Sequence, residues 1–318
     1  MNVALGLMLY GTVVALIGPP ILRRLTRRGV APRLGVTAWL VAIGGALGAW
    51  MLAAGLLVIE FAAIRRHPSE ALHACYSVLS TPVHPPSAAA TTVLTLGVSA
   101  LVTAAVAAVL LHVARVALRL RRHTHEHGAA VRIVGRPVPG LGAIVLDSPE
   151  PQAYCVAGRP DTIVVTTAAV DALTREQLAA VLAHERAHLR GRHAVLTAML
   201  RSTAAALPGV RVVTEGAVEI GRLLEMCADD RAAGTHGPAP LLGGLLALLD
   251  AGEPAPAAAL NTALNAAGTA VLARAERLVS PVGAVERARN RTALLGVIAA
   301  TVIGLSEITV GVLFWLVR

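Results

Sequence analysis

The chain has 318 residues, 55% of them hydrophobic and only 15% charged, with a formal net charge of +9 and a mean hydropathy of +0.67. This composition excludes intrinsic disorder and departs from an ordinary soluble globule, in which about a quarter of residues are charged. All 28 basic residues are Arg, and they cluster beside apolar runs, which points to membrane topology rather than to nucleic acid. Four apolar stretches, 2–22, 35–59, 88–113 and 292–317, each approach the roughly 20 residues that cross a bilayer and predict four transmembrane helices. The first is expected to end at Pro19-Pro20 and the second to close at Glu60. Arg23, Arg24, Arg27, Arg28 and Arg33 follow the first stretch. Arg115, Arg119, Arg121 and Arg122 follow the third, and Arg287, Arg289 and Arg291 precede the fourth. The 61–87 loop carries only Arg65 and Arg66. The positive-inside rule therefore predicts an outside N-terminus, an extracytoplasmic 61–87 loop and a cytoplasmic block 114–291. The expected fold class is a mostly α integral membrane protein. Residues 1–113 would hold three spans, 114–291 a cytoplasmic α+β domain, and 292–318 the fourth span.

Within the spans, Trp39, Trp50 and Trp315 are expected at packing or interface positions. Glu307 should face other helices or a water-filled site, since a carboxylate at membrane depth is costly. Cys75, Cys155 and Cys227 form no C-x-x-C pair, so neither a disulfide framework nor a Cys-based zinc finger is supported. His123, His125 and His127 read as a solvated juxtamembrane run. In the soluble block, Arg136-Pro137-Val138-Pro139-Gly140 is turn chemistry. Ala143–Leu146 and Ile163–Thr166 are β-branched runs expected as strands. Thr174 to Gln177 has capping-box spacing and predicts the start of a helix. The apolar stretch 194–213, broken by Arg201 and Pro208, reads as a helix on the core or at the membrane face. Glu215 to Ala233 reads as a further helix, and 251–268 as a loose connection or small helix.

The strongest chemical signal lies inside the capped helix: His184-Glu185-Arg186-Ala187-His188. Two His at i and i+4 share a helix face, so both imidazoles can reach one metal ion. The intervening Glu is placed to handle the proton of a water molecule. Such a site needs a third protein ligand. The downstream candidates are His193, Glu215, Glu219, Glu225, Asp229, Asp230 and His236. His193 follows too closely to complete a facial set and is expected to support the site rather than bind metal. Glu225 and Asp229 share a helix face, so one carboxylate can bind metal while the other orients a ligating His. The competing reading is a solvated acidic patch neutralised by Arg222 and Arg231.

The His-Glu-Arg-Ala-His helix, with Leu173 to Ala183 before it and Arg192-His193 after it, resembles the membrane zinc metallopeptidases of the BlaR/MecR antirepressor type. Pro151 to Cys155 and Asp161 to Thr166 fit the strand region upstream of their motif. Glu225-Met226-Cys227-Ala228-Asp229 is similar to the ExxAD motif shared with HtpX-type and prenyl-protease peptidases. The resemblance implies a zincin-like domain with one Zn²⁺ per chain held by His184, His188 and Glu225. It further implies Asp229 as a supporting carboxylate, catalysis by Glu185, and a bacterial plasma-membrane location. Arg231 or His236 remain alternatives for oxyanion or substrate contacts, and Ile163–Thr166 is expected to offer a strand edge to an extended substrate. The implied partner is a protein substrate, a cytoplasmic repressor of BlaI/MecI type, beside the lipid bilayer and without direct nucleic-acid contact. The antibiotic sensors of that type carry an extracellular penicillin-binding domain after their last span. Here Arg318 follows the fourth stretch directly, so the expectation is a protease lacking that sensor. An HtpX-like quality-control protease and a non-catalytic zincin-fold receptor are the alternatives.

Overall fold

The computed structural model describes residues 2–66, 88–138, 140–156, 160–250, 273–280 and 282–317. The 61–87 loop beyond Arg66, Cys75 and the 251–268 stretch lie outside the described residues, as does the side chain of Trp315.

Helices α1 (Asn2–Thr26) and α2 (Pro32–Arg66) pack as a pair joined by a short turn at Gly29, whose φ of +58° suits a residue without Cβ. Contrary to the expected stop at Pro19-Pro20, α1 runs through both prolines to Thr26. Each proline removes one N–H, but the flanking turns are held by packing against α2, as neighbouring helices allow in membrane spans. A 47-residue helix, α3 (Ala88–Val134), follows.

Strands β1 (Arg136–Val138), β2 (Ala143–Leu146), β3 (Ala153–Val156) and β4 (Thr162–Thr166) form one sheet in the order β1-β2-β4-β3. The β2–β4 pair is parallel and the other two are antiparallel. The helices that follow are α4 (Thr167–Ala172), α5 (Arg175–Arg190), α6 (His193–Ala206), α7 (Arg211–His236), α8 (Pro238–Asp250) and α9 (Ala284–Val317). Residues 273–279 are also helical.

Four sequence expectations change here. Among the described residues, three helices rather than four are long and apolar enough to cross a membrane: Val3–Thr26, Pro32–Ile59 and Ala284–Gly311. The predicted third span, 88–113, is not a separate element. It is the first half of α3, which continues without a break through the Arg- and His-rich residues up to Val134. Three spans and the block between them describe a multi-pass membrane protein with a soluble domain. The expected strand edge at Ile163–Thr166 is also corrected. β4 lies between β2 and β3 and is buried throughout, so the edge strand beside α5 is β3. β1 occupies residues read as a turn. Glu307 is exposed on α9.

β4 alternates in the manner of a central strand. Ile163 and Val165 pack under Leu178, Val181 and Leu182 of α5, while Val164 faces Val131 of α3. A separate core joins the membrane helices to α7. Leu22, Trp39, Ile43 and Leu294 close around Val212, Val213, Ile220 and Leu223. Trp39 is fully buried, and Gly216 lets the backbone of α7 approach it. A Cβ at Gly216 would meet Ile43 Cδ1 at 2.8 Å and Trp39 Cε3 at 3.1 Å. The N-terminal half of α7 is therefore set into the bundle of spans, and its C-terminal half carries Glu225 and Asp229. Gly216→Val is expected to lower stability by about 1–3 kcal/mol through overpacking. Thermal unfolding in detergent checks this, and an unchanged melting temperature would refute the close-approach argument.

Candidate metal centre and active site

Helix α5 starts where its sequence says it should. The Thr174 side chain accepts from the Gln177 N–H at 3.3 Å, and Gln177 Oε1 accepts from the Thr174 N–H at 2.9 Å. The register so set puts Ala180, Val181 and Leu182 in the core and turns His184, Glu185 and His188 toward α7 and β3. The helix ends at Gly191. Arg192 then adopts the left-handed region, at φ 50°, and reverses the chain so that α6 begins at His193. Gly191 has no room for a side chain, since a Cβ there would fall 2.2 Å from His193 Nε2.

This turn brings His193 Nδ1 to 2.9 Å from His188 Nδ1. Burial, followed by the nearby His188, lowers the pKa of His193 to about 4, so it stays neutral and shares a single proton with His188 across this contact. When that proton sits on His188 Nδ1, the His188 Nε2 is left to accept or to bind a cation. His184 is fixed from its other side. Its Nδ1 lies 3.2 Å from Oδ1 of Asp229, an ion-pair distance whose geometry falls short of a well-aligned hydrogen bond. Asp229 is wholly buried, and His184 is 5% exposed.

With both Nδ1 atoms engaged, the two Nε2 atoms face each other at 3.0 Å. Glu225 offers Oε2 at 3.6 Å from His184 Nε2 and Oε1 at 3.6 Å from His188 Nε2. Ligand atoms of these three side chains all lie within 4.8 Å of one another. Tetrahedral zinc with bonds of about 2.0–2.1 Å separates its ligand atoms by about 3.3 Å, so the donor set fits one Zn²⁺. The chemistry of the set agrees: two imidazole Nε2 atoms and a carboxylate meet at one point, where one cation can replace the proton they share. Burial opposes the charged form of His184, but Asp229 and Glu225 overcome it and raise its pKa to about 9. For Glu225 the same two imidazoles outweigh burial and hold its carboxyl well below the usual range. At pH 7.5 the metal-free protein therefore carries a proton on His184 that a ligand must give up. Zinc binding is expected to release about one proton per site near that pH. Calorimetry in buffers of different ionisation enthalpy measures this, and no proton release would contradict the charge state assigned to His184.

Glu185 points toward β3. Burial is the main cause raising its carboxyl pKa, partly offset by His184 and His188. Cys155 on β3 lies beside Glu185. Burial and then the Glu185 charge push the thiol up to about 12, so it stays neutral beside that carboxylate.

Sequence reasoning missed Arg274. Its Nε and Nη2 bind Asp229 Oδ2 and Oδ1 at 2.8 and 2.6 Å, and its Nη1 lies 3.6 Å from Glu225 Oε2. The fork neutralises a carboxylate that has no access to water. No spacing rule connects residues 229 and 274, so no local signal could have found it.

The other candidate ligands are occupied elsewhere. Glu215 pairs with Arg23 and Arg211, Glu219 with Arg222, and Asp230 with Arg277. Arg222 also donates to the Thr26 and Arg27 carbonyls, so it does not neutralise Glu225. Arg231 lines a cavity of about 240 Å³ with Arg33, His193 and Cys227. His236 ends α7, eleven residues beyond Glu225, or about 16 Å along the axis. The structure brings neither of the latter two into the ligand cluster.

Residues 92–236 match the sequence profile of Peptidase family M48. The matched segment spans α3 from residue 92, the whole sheet and the helices that carry His184, Glu185, His188, Glu225 and Asp229. The chain is also similar to the Protease HtpX of Legionella pneumophila, at 33% identity over 78 residues, 24% of this chain and 27% of the relative. The alignment thus spans about a quarter of that relative's length. No solved structure matches. The family match covers less than half of the chain and contains the His184/His188/Glu225 cluster.

Proposed function

We propose that the protein is a membrane-anchored zinc metalloendopeptidase of HtpX-like type, acting on protein substrates at the membrane surface. The single observation that carries this reading is the convergence of His184, His188 and Glu225 on one point, with Glu185 beside it. When bound there, Zn²⁺ supplies Lewis-acid polarisation of a scissile carbonyl and lowers the pKa of water. Glu185 accepts the proton of the attacking water on its carboxylate and passes it to the leaving amine. Its raised pKa suits both halves of that transfer, and the neutral Cys155 thiol lies beside the carboxylate. Asp229 and His193 engage the Nδ1 atoms of the two imidazoles, so that each Nε2 can bind the cation. The outer edge of β3 lies beside this group, so an extended polypeptide pairing there would run past Glu185 with little demand on its sequence.

The embedding of α7 among the spans favours substrates presented at the bilayer, in keeping with an HtpX-like role. Cleavage of one cytoplasmic repressor of BlaI/MecI type is the narrower alternative, and it requires the catalytic block to be cytoplasmic, as the Arg distribution predicts. Comparison of new N-termini in cells expressing wild type and Glu185→Gln tests the reading. Cuts in several membrane proteins, present only with wild type, are expected. A single cut in one repressor would favour the narrower role, and identical termini in both strains would refute the peptidase assignment.

A further inference from the structure

A cavity of about 770 Å³ opens between the end of α1 and the start of α9, lined by Arg24, Arg27, Arg28, Glu286, Arg289 and Asn290. Both helices meet there at the same end of two candidate spans, where the apolar segments Val3–Thr26 and Ala284–Gly311 give way to the soluble block. This is the depth at which lipid headgroups lie.

The charge in the cavity is unbalanced. Arg28 pairs with Glu286. Among the described residues, Arg24, Arg27 and Arg289 have no carboxylate partner. Four guanidinium groups thus face one carboxylate, and among the described residues three of them are left without a counter-charge. The backbone that carries them is nevertheless pinned. Asn290 Nδ2 donates to the Leu25 carbonyl at 2.8 Å, and Arg222 donates to the Thr26 and Arg27 carbonyls at 2.8 and 3.2 Å. The Arg side chains are presented by a fixed turn rather than by a fraying helix end.

Below the charged rim the surface is apolar. Ile17, Ile21 and Arg24 fall on one face of α1 by helical spacing, with Arg28 in the turn just beyond, and both isoleucines are exposed. Val285 and Ala293 line the α9 side. A cationic head site continuing into an exposed apolar stripe matches an amphiphile.

We propose that this cavity binds the phosphate of an anionic phospholipid, with the headgroup between Arg24, Arg27 and Arg289 and an acyl chain along Ile21 and Ile17. The recognised chemistry is a phosphate oxyanion, which a free phosphate ion shares; the apolar stripe assigns the lipid as its source. Basic pockets between membrane helices bind anionic headgroups by this means, each Arg strengthening attraction to the anionic surface. The inference rests on the charge, the cavity and the apolar stripe, and is independent of peptidase activity.

Native mass spectrometry of the full chain in micelles doped equally with dioleoylphosphatidylglycerol and dioleoylphosphatidylcholine tests it. Wild type is expected to retain one phosphatidylglycerol in preference to phosphatidylcholine by at least about tenfold. Arg24→Gln and Arg289→Gln should each weaken retention about fivefold, and the triple Arg24→Gln/Arg27→Gln/Arg289→Gln variant should abolish the preference. The corresponding Arg→Lys triple variant should keep most of it, which separates loss of charge from loss of fold. Equal retention of both lipids by wild type, or undiminished preference in the Gln variants, would overturn the proposal. In a second arm inorganic phosphate replaces the lipid. Displacement of phosphatidylglycerol by millimolar phosphate would overturn the lipid assignment, and indifference to phosphate supports it.

Discussion

Glu185→Gln is expected to reduce peptide-bond cleavage by about 10²–10⁴-fold while leaving zinc at one equivalent per chain. The amide matches the carboxylate in size, so the packing of Glu185 against Cys155 and β3 is retained. The ligand atoms of His184, His188 and Glu225 are untouched, because Glu185 is not among the three groups that converge on the site. What disappears is the capacity to take a proton from water and return it to the amine. Zinc content by elemental analysis and cleavage of an unfolded protein substrate separate the two effects. Unchanged turnover would remove Glu185 from the reaction, whereas lost zinc would show a structural role instead.

Arg274→Leu is expected to be the most damaging single change outside the ligands. It leaves the Asp229 carboxylate, which is fully buried, without its two-pronged partner. Breaking a buried ion pair from one side costs about 3–5 kcal/mol. Asp229 also stands 3.2 Å from His184 Nδ1, so a displaced carboxylate loosens a metal ligand. A loss of about 10–100-fold in zinc affinity should accompany the loss of stability. The double variant Arg274→Leu/Asp229→Leu separates the two consequences. It removes the unpaired charge and should recover part of the stability, yet zinc affinity should stay low because nothing holds the Nδ1 proton of His184. Denaturant unfolding and competitive zinc titration read these outcomes. Full recovery of zinc binding in the double variant would show that Asp229 does not position His184.

Local pattern carried much of the site. The i, i+4 spacing of His184 and His188 needs only a helix, and the Thr174–Gln177 box announces one. Glu225 and Asp229 stand one turn apart on α7 for the same reason. Rules of this kind relate residues a few positions apart, where backbone geometry alone decides which side chains meet. The error over the strand edge has the opposite origin. Ile163–Thr166 is a strand as expected, but whether a strand is an edge depends on its neighbours. The short Ala153–Val156 strand took the outer place by pairing with it. The same limit affected the spans. Hydropathy finds apolar runs, but it did not show that residues 88–113 continue as one helix to Val134.

By itself, then, the sequence determined the membrane character, the capped helix, the His-Glu-His signature and the pair of carboxylates downstream. Only the tertiary structure decided which acid faces the imidazoles, because the choice among Glu215, Glu219, Glu225 and Asp230 was made by arginines that occupy the others. It alone placed Arg274 on Asp229, 45 positions away, and His193 against His188 through a left-handed Arg192. The physical reason is common to all three. Charge pairing and close packing depend on distance in space, and over such separations the chain's order does not specify that distance until the core of α7 and the spans has closed around it.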